Sequence, residues 1–311
     1  MIHHTVNKIS AVSFCSSANL SSGFDLAAIC TDAFHDRITI SVTKGGDQKV
    51  TVKTKDLPLD SEKNSASIPA SMIMKDHDLR DSITIYIEKG IPIASGLGGS
   101  GASAVASVIA MNELFSLDMA TSEMARYASL GEKASGSVHV DNVAASLLGN
   151  FTIVVNHDPL ILRSYVPSLE FNIYLLIPGI PLKKNTSQLR SILPSEMDLL
   201  DQVREKARYS SLVTGLIRGD RDLVSLGMEK SIVETARYKF YTYAEEVYNA
   251  GRRRNAIGVS LSGAGPSMIL LTDSRTDFHG LSDDIERIMR SHSIPYSMKR
   301  TIVSGGSHIE G

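Results

Sequence analysis

Residues 92–104 read Pro-Ile-Ala-Ser-Gly-Leu-Gly-Gly-Ser-Gly-Ala-Ser-Ala, with glycine at 96, 98, 99 and 101. Glycine admits positive φ and lets backbone N–H groups approach an oxyanion with no Cβ in the way. A helix opening directly after such a loop adds unpaired N–H donors and a partial positive charge. Ser100, at the helix start, carries a hydroxyl that can reach a phosphate or a magnesium ion. The Gly-Lys-Ser/Thr ending of a Walker loop is missing, and no acidic residue ends a strand about 20 residues later, as a dinucleotide fingerprint requires. The chemistry open to this loop is polyphosphate binding. The plainer reading is a turn that packs a helix closely on a sheet.

Three other segments carry usable groups. Residues 17–25, Ser-Ala-Asn-Leu-Ser-Ser-Gly-Phe-Asp, set the donor-and-acceptor amide of Asn19 near Asp25, an anion suited to an ammonium or a hydroxyl. Taken alone, both could cap a turn. Residues 259–267, Val-Ser-Leu-Ser-Gly-Ala-Gly-Pro-Ser, place two glycines before a proline. That makes a tight turn whose N–H groups can buttress the phosphate loop, or a plain hairpin. Residues 131–149 contain Glu132, His139, Asp141 and Asn142 in a run that ends Leu-Leu-Gly.

These groups need elements to hold them. Apolar alternation predicts strands at 9–15, 37–42 and 83–88, with a loop at 16–22 and a small-residue helix from 102 to 115. Further strands are expected at 150–155, 171–177, 259–261 and 268–271. The stretch 194–251 reads as mostly helical, and a charged amphipathic helix is expected at 283–292. Strands and helices mix without a strict βαβ rhythm, so the fold class is α+β. Element order suggests a division into residues 1–160 and 161–311.

Composition narrows the partners. The 311 residues are 42% hydrophobic and 21% charged with a formal net charge of −2, which gives no footprint for nucleic acid or an anionic membrane. The basic run 252–254 reads as a solvated helix end. Cys15 and Cys30 sit in apolar surroundings and read as free buried thiols of a reducing compartment. The first residues lack a signal-peptide pattern and no segment is apolar enough to span a membrane, so a cytoplasmic protein is expected.

Taken together, the segments resemble the GHMP small-molecule kinases. Residues 92–100 are similar to the second motif of that family, with Gly99 and Gly101 at two places of its usual Gly-Leu-Gly-Ser-Ser-Ala form. Residues 17–25 resemble the first motif as its homoserine-kinase branch carries it, with Ser21-Ser22 in place of Gly-Pro. Residues 259–267 resemble the third motif, and 139–149 a further segment of the same branch. The three motifs occur in order across nearly the whole chain.

The resemblance implies a two-domain fold: an N-terminal ATP-binding domain like the second domain of ribosomal protein S5, then a ferredoxin-like domain, with the active site in the cleft between them. It implies ATP and homoserine as substrates, Mg²⁺ held by Ser100 and Glu132, and a homodimer. ATP contacts would come from Asn64, Pro92, Ser95, Gly96, Leu97, Gly98, Gly99, Ser100, Gly101, Ala102, Ser103, Ser262 and Gly263. Asn19, Asp25, His139, Thr186, Arg190 and Arg237 would bind the acceptor, the arginines holding its carboxylate. Asn142 stands where mevalonate kinase has an aspartate base. It would orient the attacking hydroxyl, leaving Asp25 and Asp141 as possible proton acceptors. Another member of the family acting on a small hydroxy acid, such as the archaeal-type shikimate kinase, and a non-enzymatic binding module remain the alternatives.

Overall fold

The computed structural model describes residues 7–45, 47–55, 57–135, 139–180 and 186–310, with backbone alone at 134, 135, 186 and 187. The first half runs β1 (Lys8–Asn19), β2 (Gly23–Thr43), β3 (Val50–Lys53), α1 (Ser67–Asp76), β4 (Ser82–Glu88), α2 (Gly99–Phe115) and α3 (Thr121–Gly131). A 3-10 turn (Glu132–Ser135), α4 (Asp141–Leu148), β5 (Phe151–His157) and β6 (Leu160–Tyr165) complete it. The second half has β7 (Asn172–Pro178), α5 (Thr186–Arg190), α6 (Leu199–Arg218), α7 (Arg221–Gly227), α8 (Ile232–Tyr238) and α9 (Thr242–Arg253). It ends with β8 (Gly258–Leu261), β9 (Met268–Thr272), α10 (Phe278–Ser291), β10 (Tyr296–Thr301) and β11 (His308–Glu310).

The first sheet has the order β11-β1-β2-β4-β3, and β5 joins β2 to β6. Successive side chains of a strand face opposite ways. Ile83, Ile85 and Ile87 therefore share the inner face and pack with buried residues of α1, α2 and α3. Two expectations shift here. Residues 16–18, expected in a loop, continue β1 because they pair with Cys30, Ile29 and Ala28 of β2. Helix α2 opens at Gly99 rather than at 102, and nearly every residue from Gly101 to Met111 is buried. Burial on all sides outweighs the poor helix propensity of its glycines.

The second sheet is antiparallel with the order β10-β7-β9-β8. Strands β7 to β10 with their helices form a β-α-β-β-α-β unit, the ferredoxin-like arrangement, with α5 to α8 inserted before α9. One face of this sheet (Ile173, Leu175, Ile269, Leu271) packs with Leu97, Ala102 and Phe151 of the first half. The other face (Leu176, Met268, Leu270) packs on α9 and α10. The division expected at residue 160 falls on the first residue of β6, which still belongs to the first sheet, and β11 returns there to pair with β1.

Both cysteines are free and buried. Arg254, from the basic run, is held by Asp277 and Asp284 at the α10 end. Among the described residues, no helix is long and apolar enough to cross a membrane.

Candidate functional site

The phosphate loop is braced by the segment the sequence offered for that purpose. Ser262 Oγ donates to the Gly96 carbonyl at 2.8 Å, and Ser267 N–H donates to the Ser95 carbonyl at 3.1 Å. Gly96 has φ +81, and a Cβ there would lie 2.5 Å from the Ser262 carbonyl oxygen and 2.6 Å from that of Gly265. Gly96→Ala should therefore push the two loops apart. The expected loss is about 2 kcal/mol or more in urea unfolding, with a raised KM for nucleotide. A stability and KM equal to wild type would show that the bracing does not matter.

Beyond the brace the chain enters α2 at Gly98, which has φ +68. A Cβ there would meet Ser16 Oγ and the Asn142 side chain at 2.3 and 2.8 Å. Ser16 Oγ in turn donates to Asn142 Oδ1 at 2.9 Å. The amide nitrogen of Asn142 is thus turned by a fixed partner, beside the loop. Gly99, Ser100 and Gly101 form the first turn of α2, where N–H groups lack partners within the helix.

A charged cluster lies in the adjoining turn after β1. Asn19, Leu20, Ser21 and Asp25 all have positive φ, a concentration of strain typical of functional turns. Asp25 Oδ2 accepts from Arg190 Nη2 at 2.6 Å, and Oδ1 lies 3.2 Å from both Arg190 Nη1 and His139 Nδ1. Burial pushes the Asp25 carboxyl up, but hydrogen bonds from His139 and Arg190 outweigh it and bring the group to about 2. The hydrogen bond to Asp25 raises the His139 imidazole. Phe24 forms a floor, with the Arg190 and Arg237 guanidinium carbons 5.2 and 5.4 Å from its ring centre. Arg237 is buried and donates from Nη1 to the Gly263 carbonyl at 2.8 Å, which also accepts from Asn19 Nδ2 at 2.9 Å. One carbonyl of the bracing turn therefore ties the charged cluster to the phosphate loop.

Asp141, at the first turn of α4, is 3% exposed, and its Oδ1 accepts from the Asn142 N–H at 2.8 Å. Burial, then the nearby Asp25 charge, raises its carboxyl to about 6. A carboxyl raised in the folded state contributes its full stability below the unfolded value of about 4 and loses it as pH rises through about 6. Asp25 and His139 are common to both proteins in a comparison with Asp141→Asn. That variant should match wild type in urea unfolding near pH 3. Near pH 7.5 it should be more stable by on the order of 2–3 kcal/mol. A difference that does not change with pH would contradict the buried-carboxyl account.

Comparison with known proteins accords with this geometry. Residues 67–150 match the model of the GHMP kinase N-terminal domain. A homoserine kinase of Sulfurisphaera tokodaii is 37% identical over 298 residues, covering 96% of this chain and 97% of that protein. One of Thermoplasma volcanium is 36% identical over 300 residues, with 96% of each covered. This chain belongs to the homoserine kinase family of the GHMP kinases. The crystal structure of a homoserine kinase from Cytophaga hutchinsonii superposes with a TM-score of 0.86 at 28% identity, over 100% of this chain and 99% of that one. A Lactococcus lactis galactokinase shares the fold at a TM-score of 0.73 and 12% identity, with 99% and 96% covered.

With the GHMP frame established, the expected site residues divide by what their groups are doing. Asn19, Asp25, His139, Arg190 and Arg237 form one cluster, and Asn142 meets the phosphate loop. Thr186 opens α5, but its side chain lies outside the described residues. Among the residues expected to contact ATP, several side chains already have partners within the protein. Ser95 Oγ is spent on the Pro92 carbonyl, Ser262 Oγ on Gly96, and Ser103 Oγ on Asp36. The Leu97 side chain is core, and the Ala102 N–H is used inside the helix, on the Gly98 carbonyl. Pro92 has no N–H to offer. The Asn64 amide is committed at both ends, donating to the Pro58 carbonyl and accepting from the Ala66 N–H, and is 1% exposed.

Other groups at the site went unread in the sequence. Ser16, Asp36 and Lys89 precede or flank the motifs and carry no spacing signal. Glu234 accepts from Ser21 Oγ at 2.8 Å and from the Leu261 N–H at 2.8 Å, joining the first and third motifs. Burial raises its carboxyl to about 7. Its place one helical turn before Arg237 was the available clue.

Proposed function

We propose that this chain transfers the γ-phosphoryl group of ATP to the side-chain hydroxyl of L-homoserine, yielding O-phospho-L-homoserine and ADP. The carrying observation is the convergence of Arg190, Arg237 and Asp25 around Phe24, linked through the Gly263 carbonyl to the phosphate loop. Two guanidinium groups and one carboxylate suit an acceptor with one carboxylate and one ammonium. In this reading Arg190 and Arg237 take the carboxylate, and Asp25 and Asn19 take the ammonium. The Arg237 Nε, buried without a partner among the described residues, is a donor that such a carboxylate would satisfy.

The nucleotide's phosphates would rest on the N–H groups of Gly99 to Gly101 and the Ser100 hydroxyl. Ser100 and Glu132 would hold the magnesium ion that the family implies. Their placement fits. Ala104 lies one turn beyond Ser100 on α2, and a Cβ on Gly131 would fall 2.7 Å from the Ala104 Cβ, so the buried Glu132 directly follows the close approach of α3 to α2. Two hard oxygens beside a polyphosphate suit magnesium, which when bound neutralises charge on the phosphates.

Asn142, with its oxygen fixed by Ser16, presents its amide nitrogen to orient the acceptor hydroxyl. Neither carboxylate is a strong base in position: Asp25 is held at about 2, and Asp141 is buried with an oxygen on the Asn142 N–H. Phosphoryl transfer through a loose transition state relies on positioning and charge neutralisation, so the hydroxyl proton leaves to a phosphoryl oxygen. The test is ADP release by the purified protein with homoserine, with shikimate and with no acceptor, with the product identified by phosphorus NMR. Homoserine-dependent turnover is expected. Turnover of shikimate alone, or nucleotide binding with no turnover, would overturn the assignment.

A further inference from the structure

We propose that Asp36, Lys89 and Ser103 form a buried clamp across the base of the phosphate loop, and that Lys89 is a positioning residue for nucleotide binding. Asp36, fully buried on β2, accepts through Oδ1 from the N–H groups of Gly90 and Ile91, both at 3.1 Å. Through Oδ2 it accepts from Ser103 Oγ at 2.7 Å and from Lys89 Nζ. Lys89 Nζ also donates to the Gly99 carbonyl at 3.1 Å and to Ser103 Oγ at 3.2 Å, which uses all three of its protons. One carboxylate therefore holds the chain where it enters the loop, at 90–91, and through Lys89 and Ser103 where it leaves, at 99–103.

The geometry explains why a charged pair is useful there. A buried ion pair is a poor source of stability, because desolvation cancels much of the attraction. It is, however, directional, and every donor and acceptor in this cluster is matched. Fixing both ends of the loop sets the N–H groups of Gly99, Ser100 and Gly101 before an anion arrives, so the ordering cost of binding falls. Asp36 stands on β2 well beyond Asp25, and the cluster's hydrogen bonds run to the two ends of the loop, so its effect should fall on nucleotide and not on acceptor.

This inference rests on the reading of the loop as a nucleotide site but not on the identity of the acceptor. ADP binding by titration calorimetry therefore tests it separately from turnover. Lys89→Met should weaken ADP binding about 10- to 100-fold, the range for losing hydrogen bonds to a charged group. The homoserine KM should stay within about twofold, while the thermal midpoint should fall, because the Asp36 carboxylate is left buried without its counter-ion. Ser103→Ala removes one hydroxyl and should weaken ADP about two- to tenfold. It decides the matter if Lys89→Met does not fold. Unchanged ADP affinity in the folded variants would overturn the clamp. So would equal losses for both substrates that track lost stability, which is the signature of a merely structural role. A wild type that binds ADP but ignores homoserine would sink the proposed reaction and leave the clamp tested. A wild type that binds no nucleotide would end both.

Discussion

Glu132→Gln is expected to lower kcat by roughly 10²–10³ while changing the homoserine KM only a few-fold, the scale of losing one strong electrostatic contact to the transition state. Glutamine keeps the volume and removes only the charge, so the buried position at the end of α3 should still fill. The carboxylate acts on charge that develops at the phosphoryl group, whereas the acceptor is held by the distant arginine cluster. For that reason the loss should appear in turnover and not in acceptor binding. Raising magnesium should recover part of the rate, because Ser100 still offers one ligand. Full activity at ordinary magnesium would remove Glu132 from the metal site.

Much of this site was legible because its chemistry is written in glycine. Gly96 and Gly98 take backbone angles that other residues resist, and each is closed off by a neighbouring backbone or side-chain oxygen. A sequence with four glycines before a small-residue helix thus announces both the turn and the donors. The arginine and aspartate cluster was legible only through resemblance. Asp25 and Arg190 are far apart in the chain, and nothing local to either forecasts an ion pair.

The remainder was hidden for identifiable physical reasons. Serine reads as a loop residue, yet Ser16 and Ser17 are buried in β1, their small side chains allowing close packing where larger polar groups would not fit. Glycine lowers helix propensity, yet α2 starts at Gly99 because tertiary burial decides. The strand β11 is three residues long and carries no periodic signal. Lys89-Gly90 reads as the end of a strand before a turn. Only the fold shows that its ammonium is folded back on Asp36, a residue of another strand.

Arg190→Ala should raise the homoserine KM by about 10- to 100-fold, with kcat within a few-fold, because a carboxylate clamp acts on the bound substrate and the transition state alike. The upper end is limited by what Arg190 already does. Its guanidinium is paired with Asp25 through two hydrogen bonds, at 2.6 and 3.2 Å, and an acceptor carboxylate must compete for that fork. Removing Arg190 also frees Asp25 of its arginine partner, leaving His139 to compete with the acceptor's ammonium. The observed loss is therefore a difference between two pairings, and the two residues should not behave independently. Asp25→Asn together with Arg190→Ala should cost less than the two single losses combined. Arg190→Lys keeps the charge but not the planar fork, so it should recover only part of the binding. A homoserine KM unchanged in Arg190→Ala, or strict additivity in the double variant, would mean that the acceptor carboxylate is held elsewhere.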